Sequence, residues 1–568
     1  MTQIVSPPLS PVEGYKTVSR GLRGTISAEL ADDTTITVGE ASHSLLKFHG
    51  TYEQYDRDTA TQLKQAGLEK EWNFMVRARI PAGRVTPSQY LALDDLAGRY
   101  GNGTMRITTR QTFQFHAIAK RNLRETIAEI DRMLLTTMAS CGDVVRNVVT
   151  TAAPIQDAVH DTLRNTAEYL SSVLLPRSNA HHQIFVLGED NGEEAEVEPM
   201  YGPTYLPRKF KIGLIHPDDN TIDVLSNDLG LIAEVTDGRV TGWVACVGGG
   251  QGMTHNKPMT YPRVASALCR VDHADLLRLV EAIVKTQRDH GDRTNRKRAR
   301  LKYVVDDHGL EWVKARVEEH YGAPLDAPGP MPKLTVPDHL GWHEQGDGKW
   351  WLGLPLPAGR IADVGASRLR TGLREAVIQF GVAPVMTTLQ DILLTNVEPD
   401  QRDGLEALLK AHGALFRDDL TPIARWSMAC VALPTCGLAL SEAERSREPI
   451  VAGIEGLLRQ HGLEQERISV RITGCPNGCA RPYDGDLGIV GRAPGAYAIF
   501  VGGDFEGTRL NFLLFERIKE AEITSKLAPI VTAWAVGRTQ GEGFGDFCHR
   551  MGREKLLALT APEMLAAE

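Results

Sequence analysis

The two halves of this 568-residue chain repeat one another in order. ARIPAGRV (78–85) returns as LGLPLPAGRI (352–361) through the shared PAGR. MRITTRQTFQF (105–115) returns as VMTTLQDILL (385–394) through TT-x-Q and the apolar positions after it. DLGLI (228–232) with a following VGGG returns as DLGIV (486–490) with VGGD. The matched pieces lie about 255 to 280 residues apart, far beyond a solenoid period. One PAGR carries little weight, but three matches in the same order imply duplication of a whole domain pair. The expected fold is an α/β (α+β) protein of two pseudo-symmetric halves, each a small α+β unit followed by a larger one.

A proline-rich stretch, GAPLDAPGPMPKLTVP (322–337), lies between the copies. It can be neither a helix nor a central strand and reads as an extended connector. Before it, residues 74–80 alternate as a strand does, Ser88 to Tyr100 has helical spacing, and Thr104 to Ala119 alternates again. Residues 121–139 read as a second helix. Residues 183–187 (QIFVL), 209–215 and 240–247 supply strands for the larger unit. Strands and helices in this order imply a mixed sheet packed by helices. The acidic, Gly-containing segment 188–202 reads as an exposed loop, either a solvated tip or a lid.

The differences between the copies point to function. Arg106 and Arg110 align with Val385 and Leu389, so the first copy keeps cations where the second is apolar. The second copy keeps cysteines: Cys430-x5-Cys436 in SMACVALPTC and Cys475-x3-Cys479 in TGCPNGCARP. Two tight thiol pairs can hold an iron–sulfur cluster or a zinc ion, and the x5 gap counts against zinc. Pro434, Pro476 and Gly478 break regular structure, which suits backbone wrapped around a bulky cluster. The remaining cysteines, Cys141, Cys246, Cys269 and Cys548, are scattered and read as buried thiols.

The first half supplies candidate cations in strand and turn contexts: Arg77, Arg79, Arg106, Arg110, Arg146, Lys209 and Lys211. Singly, each is more often a solvated edge residue or an ion-pair partner. The run 293–302 holds six Lys/Arg and reads first as a solvated basic face. The Gly-rich VGGGQG fails as a dinucleotide loop, because position 253 is Met and no βαβ unit follows. Net charge is −9, which argues against a general nucleic-acid binder. No apolar run is long enough to span a membrane. The N-terminus has neither an apolar h-region nor an Arg-rich amphipathic pattern, so a cytoplasmic location is expected.

The paired cysteine motifs resemble those of the sulfite and nitrite reductase hemoproteins, and the likeness covers nearly the whole chain. It runs from LRGTI near 22 and FHGTYEQYDRD (48–58) to GEGFGDF (541–547). The resemblance implies a [4Fe–4S] cluster on Cys430, Cys436, Cys475 and Cys479, with Cys479 also the axial ligand of a siroheme. It implies that Arg106, Arg110, Gln114 and Arg300 hold siroheme carboxylates. It implies that Arg77, Arg146, Lys209 and Lys211 bind the substrate oxyanion. Sulfite reduction to sulfide is the implied activity. Nitrite reduction is the alternative, because nitrite reductases tend to place Asn where this chain has Lys211. A degenerate sensor or structural subunit is the rival from another class, and the complete cysteine and cation set speaks against it. The electron donor is expected to be a flavoprotein (FAD/FMN, NADPH-oxidising) or ferredoxin.

The expected divisions are 1–65 as an extension for partner binding, 66–150 and 341–420 as ferredoxin-like half-domains, and 326–340 as the connector. The larger siroheme- and cluster-binding domains are then 151–325 and 421–568.

Overall fold

The computed structural model describes residues 7–188 and 198–561. It divides into two compact units, Met1–Gly250 with Ala265–Ala414 and Gln251–Val264 with Leu415–Glu568. The Pro-rich connector does not mark that division, since the chain on both sides of it belongs to the first unit. The lid or loop expected at 188–202 falls largely on 189–197, outside the described residues.

After three short helices, the first unit builds β1 (Thr51–Tyr55), β2 (Trp72–Arg77), β3 (Met105–Ile107) and β4 (Phe113–Ile118). A second sheet takes β5 (Val149–Thr150), β6 (Ile212–Ile215), β7 (Leu229–Thr236), β8 (Arg239–Val247) and β9 (Ser266–Asp272) in that order. The second copy adds β10 (Gly341–Glu344), β11 (Trp350–Leu354), β12 (Arg360–Ile361), the hairpin β13 (Asp363–Val364) and β14 (Ser367–Arg368), β15 (Ala383–Met386) and β16 (Ile392–Val397). The two half-domain sheets run β1-β2-β4-β3-β12 and β10-β11-β16-β15.

Each PAGR segment crosses to the other copy. β12 pairs with β3, setting Arg360 opposite Arg106, while Arg84 bridges to Val385 on β15. Ala82 and Ala358 both take a left-handed φ of 54°. A Cβ on Gly83 would meet the Met386 carbonyl oxygen at 2.5 Å, and one on Gly359 the Ile107 oxygen at 2.3 Å. The repeated motif is therefore the crossing point of two interlocked copies, and glycine is required there by close backbone approach.

Helix Pro87–Tyr100 starts where its sequence says it should. Pro87 is the first helical residue, and Thr86 and Gln89 form a reciprocal capping box. Its inward face carries Tyr90, Leu93, Leu96 and Ala97, together with a buried Asp94. Asp94 accepts from Arg370 (2.6 Å) and Arg374 (2.9 Å) of the second copy's helix Leu369–Phe380.

The second unit repeats the larger sheet: β17 (Ser427–Ala429), β18 (Val470–Thr473), β19 (Leu487–Ala493), β20 (Ala496–Val501) and β21 (Phe512–Lys519). The first three strands are parallel and the last two antiparallel, the same pattern as β5 to β9.

Three expectations need correction. Residues 182–187 form a turn of π-helix, not a strand. His181 and Phe185 stand four apart with ring centroids 5.3 Å from each other, and both rings pack on His49, a contact that a strand's 3.3 Å rise forbids. The helix expected over 121–139 stops at Arg132, with Leu134 and Ala139 at positive φ. The N-terminal segment, expected as an extension for partner binding, is packed into the first unit. Leu22, Arg23, Ile26, Leu45 and Leu46 are buried, and Arg23 Nε donates to Gln183 at 2.6 Å. Lys16 is buried on helix Pro11–Val18, bonded to Glu13 and to the Leu206 carbonyl (2.9 Å).

Candidate functional site

The first unit gathers its cations through strand register. Arg77 on β2 lies opposite Gln114 on β4, Gln114 opposite Arg106 on β3, and Arg106 opposite Arg360 on β12. Residues directly opposite project from the same face, so these four form one cross-strand row. Two arginines facing each other across strands repel unless an anion lies over them. A polycarboxylate is the kind of ligand that such a row fits. His116 follows Gln114 at the alternate position of β4 and is buried, with neither ring nitrogen partnered among the described residues. Burial and then Arg360, Arg106 and Arg77 hold it neutral, well below the ordinary histidine range.

A second group forms where the β5–β6 ladder extends backwards. Val145 bridges Phe210, and Arg146 N–H donates to the Phe210 carbonyl at 2.9 Å. Phe210 is buried, so Lys209 and Lys211 on either side of it turn to the opposite face. Burial pushes the Lys209 ammonium well below the usual lysine range, reinforced by Lys211, Arg146, Arg208 and Arg300. Lys211 is pushed down likewise, by burial and then by Arg110, Arg300 and Arg146, against the opposing carboxylate of Asp228. Crowded cations of this kind attract an oxyanion strongly, and lysines so placed release protons readily.

The other predicted cations are placed with definite partners. Arg77 donates to the Cys141 thiol at 3.1 Å. Arg146 Nε and Nη2 both donate to the Gly142 carbonyl at 3.4 Å. Arg110 donates to Asn227 (2.9 Å) and to the carbonyls of Asn147 (2.5 Å) and Ile212 (2.9 Å). Arg300 forms a buried two-point contact with Asp228, at 3.0 and 2.7 Å, and reaches the Gly249 carbonyl. Arg79 is locked onto Ser171 and the carbonyls of Ala139 and Val145, which makes it structural. Sequence reasoning missed Arg360, His116 and Arg208. Only the duplicated PAGR offered a signal, for Arg360.

The second unit brings the four predicted cysteines together. Cys430 follows β17 directly and Cys475 comes two residues after β18, so both stand at the carboxyl ends of parallel strands, where open α/β sheets bind ligands. The Cys430 N–H donates to the Ile472 carbonyl (3.0 Å), and the Gly474 N–H donates to the Cys430 sulfur (3.3 Å). Burial raises the Cys430 thiol well above its ordinary range, and Cys479, Cys475 and Cys436 all add to that. Burial and Cys479 push Cys475 up to about 12. Four thiols that repel as thiolates need a positive centre to ionise together.

Among the described residues no three ligating side chains converge closely enough for a single metal ion. The ligands of an iron–sulfur cluster stand around several iron atoms rather than one. Among the described residues the buried hydroxyls of Thr435 and Thr473, next to Cys436 and two residues before Cys475, have no partner. They fit a cluster as donors to its sulfurs.

The sequence matches two family profiles. The nitrite and sulphite reductase 4Fe-4S domain matches over 141–325 and 439–566, and the nitrite/sulfite reductase ferredoxin-like half domain over 68–133 and 343–412. Cys475 and Cys479 lie inside the second 4Fe-4S match, and Cys430 and Cys436 just before it. The sulfite reductase [NADPH] hemoprotein beta-component of Xylella fastidiosa (strain M23) is 44% identical over 548 residues, 96% of each chain. The protein of the same name from Myxococcus xanthus is 44% identical over 546 residues, 96% of this chain and 97% of its own. Among solved structures, the Mycobacterium tuberculosis NirA protein aligns with a TM-score of 0.79 at 23% identity, covering 97% of this chain and 98% of that one, a likeness of fold. No described helix is long and apolar enough to cross a membrane.

Proposed function

Because the chain belongs to the nitrite and sulphite reductase family, we propose that it is the hemoprotein component of an NADPH-linked sulfite reductase, reducing sulfite to sulfide by six electrons. The observation that carries this is the division of labour between the copies: four cysteines gathered at the ends of parallel strands in one, and two lysines flanking buried Phe210 beside Arg146 in the other. When bound, siroheme and the [4Fe–4S] cluster supply electron storage and a Lewis-acidic iron.

The protein's own part divides among named residues. Cys430, Cys436, Cys475 and Cys479 would hold the cluster, and Cys479, the exposed thiol, would also ligate the siroheme iron. Arg106, Gln114 and Arg360 would carry siroheme carboxylates on their row, with Arg110 and Arg300 as further carboxylate partners beside the lysine group. Arg77, Arg146, Lys209 and Lys211 neutralise the sulfite oxygens. Lys209 and Lys211, on either side of buried Phe210, would supply protons to those oxygens. Lys211 favours the dianion sulfite over monoanionic nitrite.

Electrons come from NADPH through a separate flavoprotein subunit, with ferredoxin the alternative donor. The working place is the cytoplasm. The test is the absorption spectrum and the iron and acid-labile sulfide content of the purified protein. Siroheme bands with a four-iron cluster are expected, and a protein lacking both would overturn the reading.

A further inference from the structure

The Gly-rich run that fails as a dinucleotide loop leads into a different device. Residues 251–264 come from the first copy in sequence but pack within the second unit, against the loop that follows Cys475. Gln251 is buried and uses both ends of its amide. Its Oε1 accepts from the Tyr483 N–H at 3.2 Å, and its Nε2 donates to Asp484 Oδ2 at 3.0 Å. A backbone N–H can only donate and a carboxylate only accept, so the amide has one orientation. The other Asp484 oxygen takes Arg471 NH1 at 2.7 Å, and the same NH1 reaches the Arg481 carbonyl at 3.2 Å.

The strap also holds the cysteine loop directly. Met253 N–H donates to the Pro476 carbonyl at 2.9 Å, and Tyr483 Oη donates to the same oxygen at 3.1 Å. Gly478 sits at φ 66°, where a Cβ would lie 3.2 Å from Gln251 Cβ and 3.1 Å from the Tyr483 ring. Pro476 to Cys479 is thus pinned between residues 251–253 on one side and 483–484 on the other.

We propose that Gln251 is a positioning residue for the cluster: its amide holds the 475–484 loop in the shape that presents Cys475 and Cys479 to iron. The inference rests on the reading of these cysteines as cluster ligands. An amide at this place is matched to its two partners, and a carboxylate is not. Gln251→Glu sets two buried carboxylates together. Gln251→Met leaves the Tyr483 N–H and one Asp484 oxygen without their present partner. Gln251→Glu with Asp484→Asn restores a donor facing an acceptor.

The experiment uses the holoenzyme and its three variants. It reads the rate of iron release to a chelator, the EPR spectrum of the reduced cluster, and the unfolding temperature. Gln251→Glu is expected to release iron about tenfold faster, the lower end for residues that hold metal ligands from behind. Gln251→Met should do so about threefold faster, and the double variant should return to within about twofold of wild type. If Gln251→Glu retains no cluster, loading in the double variant supports the proposal and its failure to load refutes it. Wild-type iron release and EPR in both single variants, even with a lowered unfolding temperature, also refute it. A wild-type protein without iron and sulfide would instead sink the cluster reading itself.

Discussion

Replacing Lys211 by Asn removes one cationic side chain from the crowded cation group while leaving its backbone N–H on Asp228 Oδ2 (2.9 Å) untouched. Two unit charges 4 Å apart interact by about 4 kcal/mol at an effective dielectric of ~20. After desolvation, a charge-assisted hydrogen bond is worth about 1.5–3 kcal/mol, or roughly 10- to 150-fold. The structure places the effect near the low end. Lys211 is the neighbouring cation that most lowers Lys209, so its removal lets Lys209 hold its proton more firmly and recover part of the lost attraction. We expect kcat/KM for sulfite to fall about 10- to 30-fold. Nitrite carries one charge where sulfite carries two, so half the Coulomb energy is at stake and the loss should be about three- to fivefold. The alkaline limb of the sulfite profile should move to higher pH, because Lys209 then loses its proton later. The assay is steady-state turnover of both substrates with one artificial donor across pH. Equal losses for the two substrates, with an unmoved alkaline limb, would refute the reasoning.

Cys479→Ser should lose the cluster and the siroheme spectrum together, since a hydroxyl stays protonated and is a poor ligand for iron; wild-type spectra would remove Cys479 from the ligand set. Deleting residues 7–30 should abolish dye-driven activity as well as NADPH-driven activity, because Leu22, Arg23 and Ile26 are core; a folded, dye-active truncation contradicts the packing. The His339–Asp219 pair, at 2.7 Å and nearly buried, pins the end of the connector. Asp219 raises His339 above its ordinary value, so the pair's contribution is complete below about pH 6.5 and fades as pH rises through the raised value. Asp219 itself is lowered, so its share is lost only as pH falls through that lowered value. His339→Gln should therefore cost about 3 kcal/mol in urea unfolding at pH 6 and distinctly less at pH 9; a cost that grows with pH refutes the pairing.

What sequence could reveal here was local or repeated. Helix Pro87–Tyr100 announced itself through Thr86, Pro87 and Gln89, and the cysteines through two short motifs. The duplication was readable because PAGR must stay close-packed at Gly83 and Gly359. The cross-strand row was not readable, since Arg77, Gln114, Arg106 and Arg360 meet only through the register of four strands, one from the other copy. The N-terminal helices Pro11–Val18 and Ile26–Ala31 are too short to show a period, and burial of Arg23 depends on Gln183, 160 residues away. The same holds for Gln251, whose partners at 483 and 484 lie more than 230 residues on. In residues 182–187 a short apolar run looked like a strand because it is too brief to distinguish the two periods.

The central claim is that this chain reduces sulfite completely to sulfide. The most direct measurement is the stoichiometry of a single preparation turning over with a reduced one-electron dye. The account predicts one sulfide for each sulfite consumed and about six dye equivalents oxidised, with kcat/KM for sulfite above that for nitrite. Dye oxidation without sulfide, or a higher kcat/KM for nitrite, would contradict it.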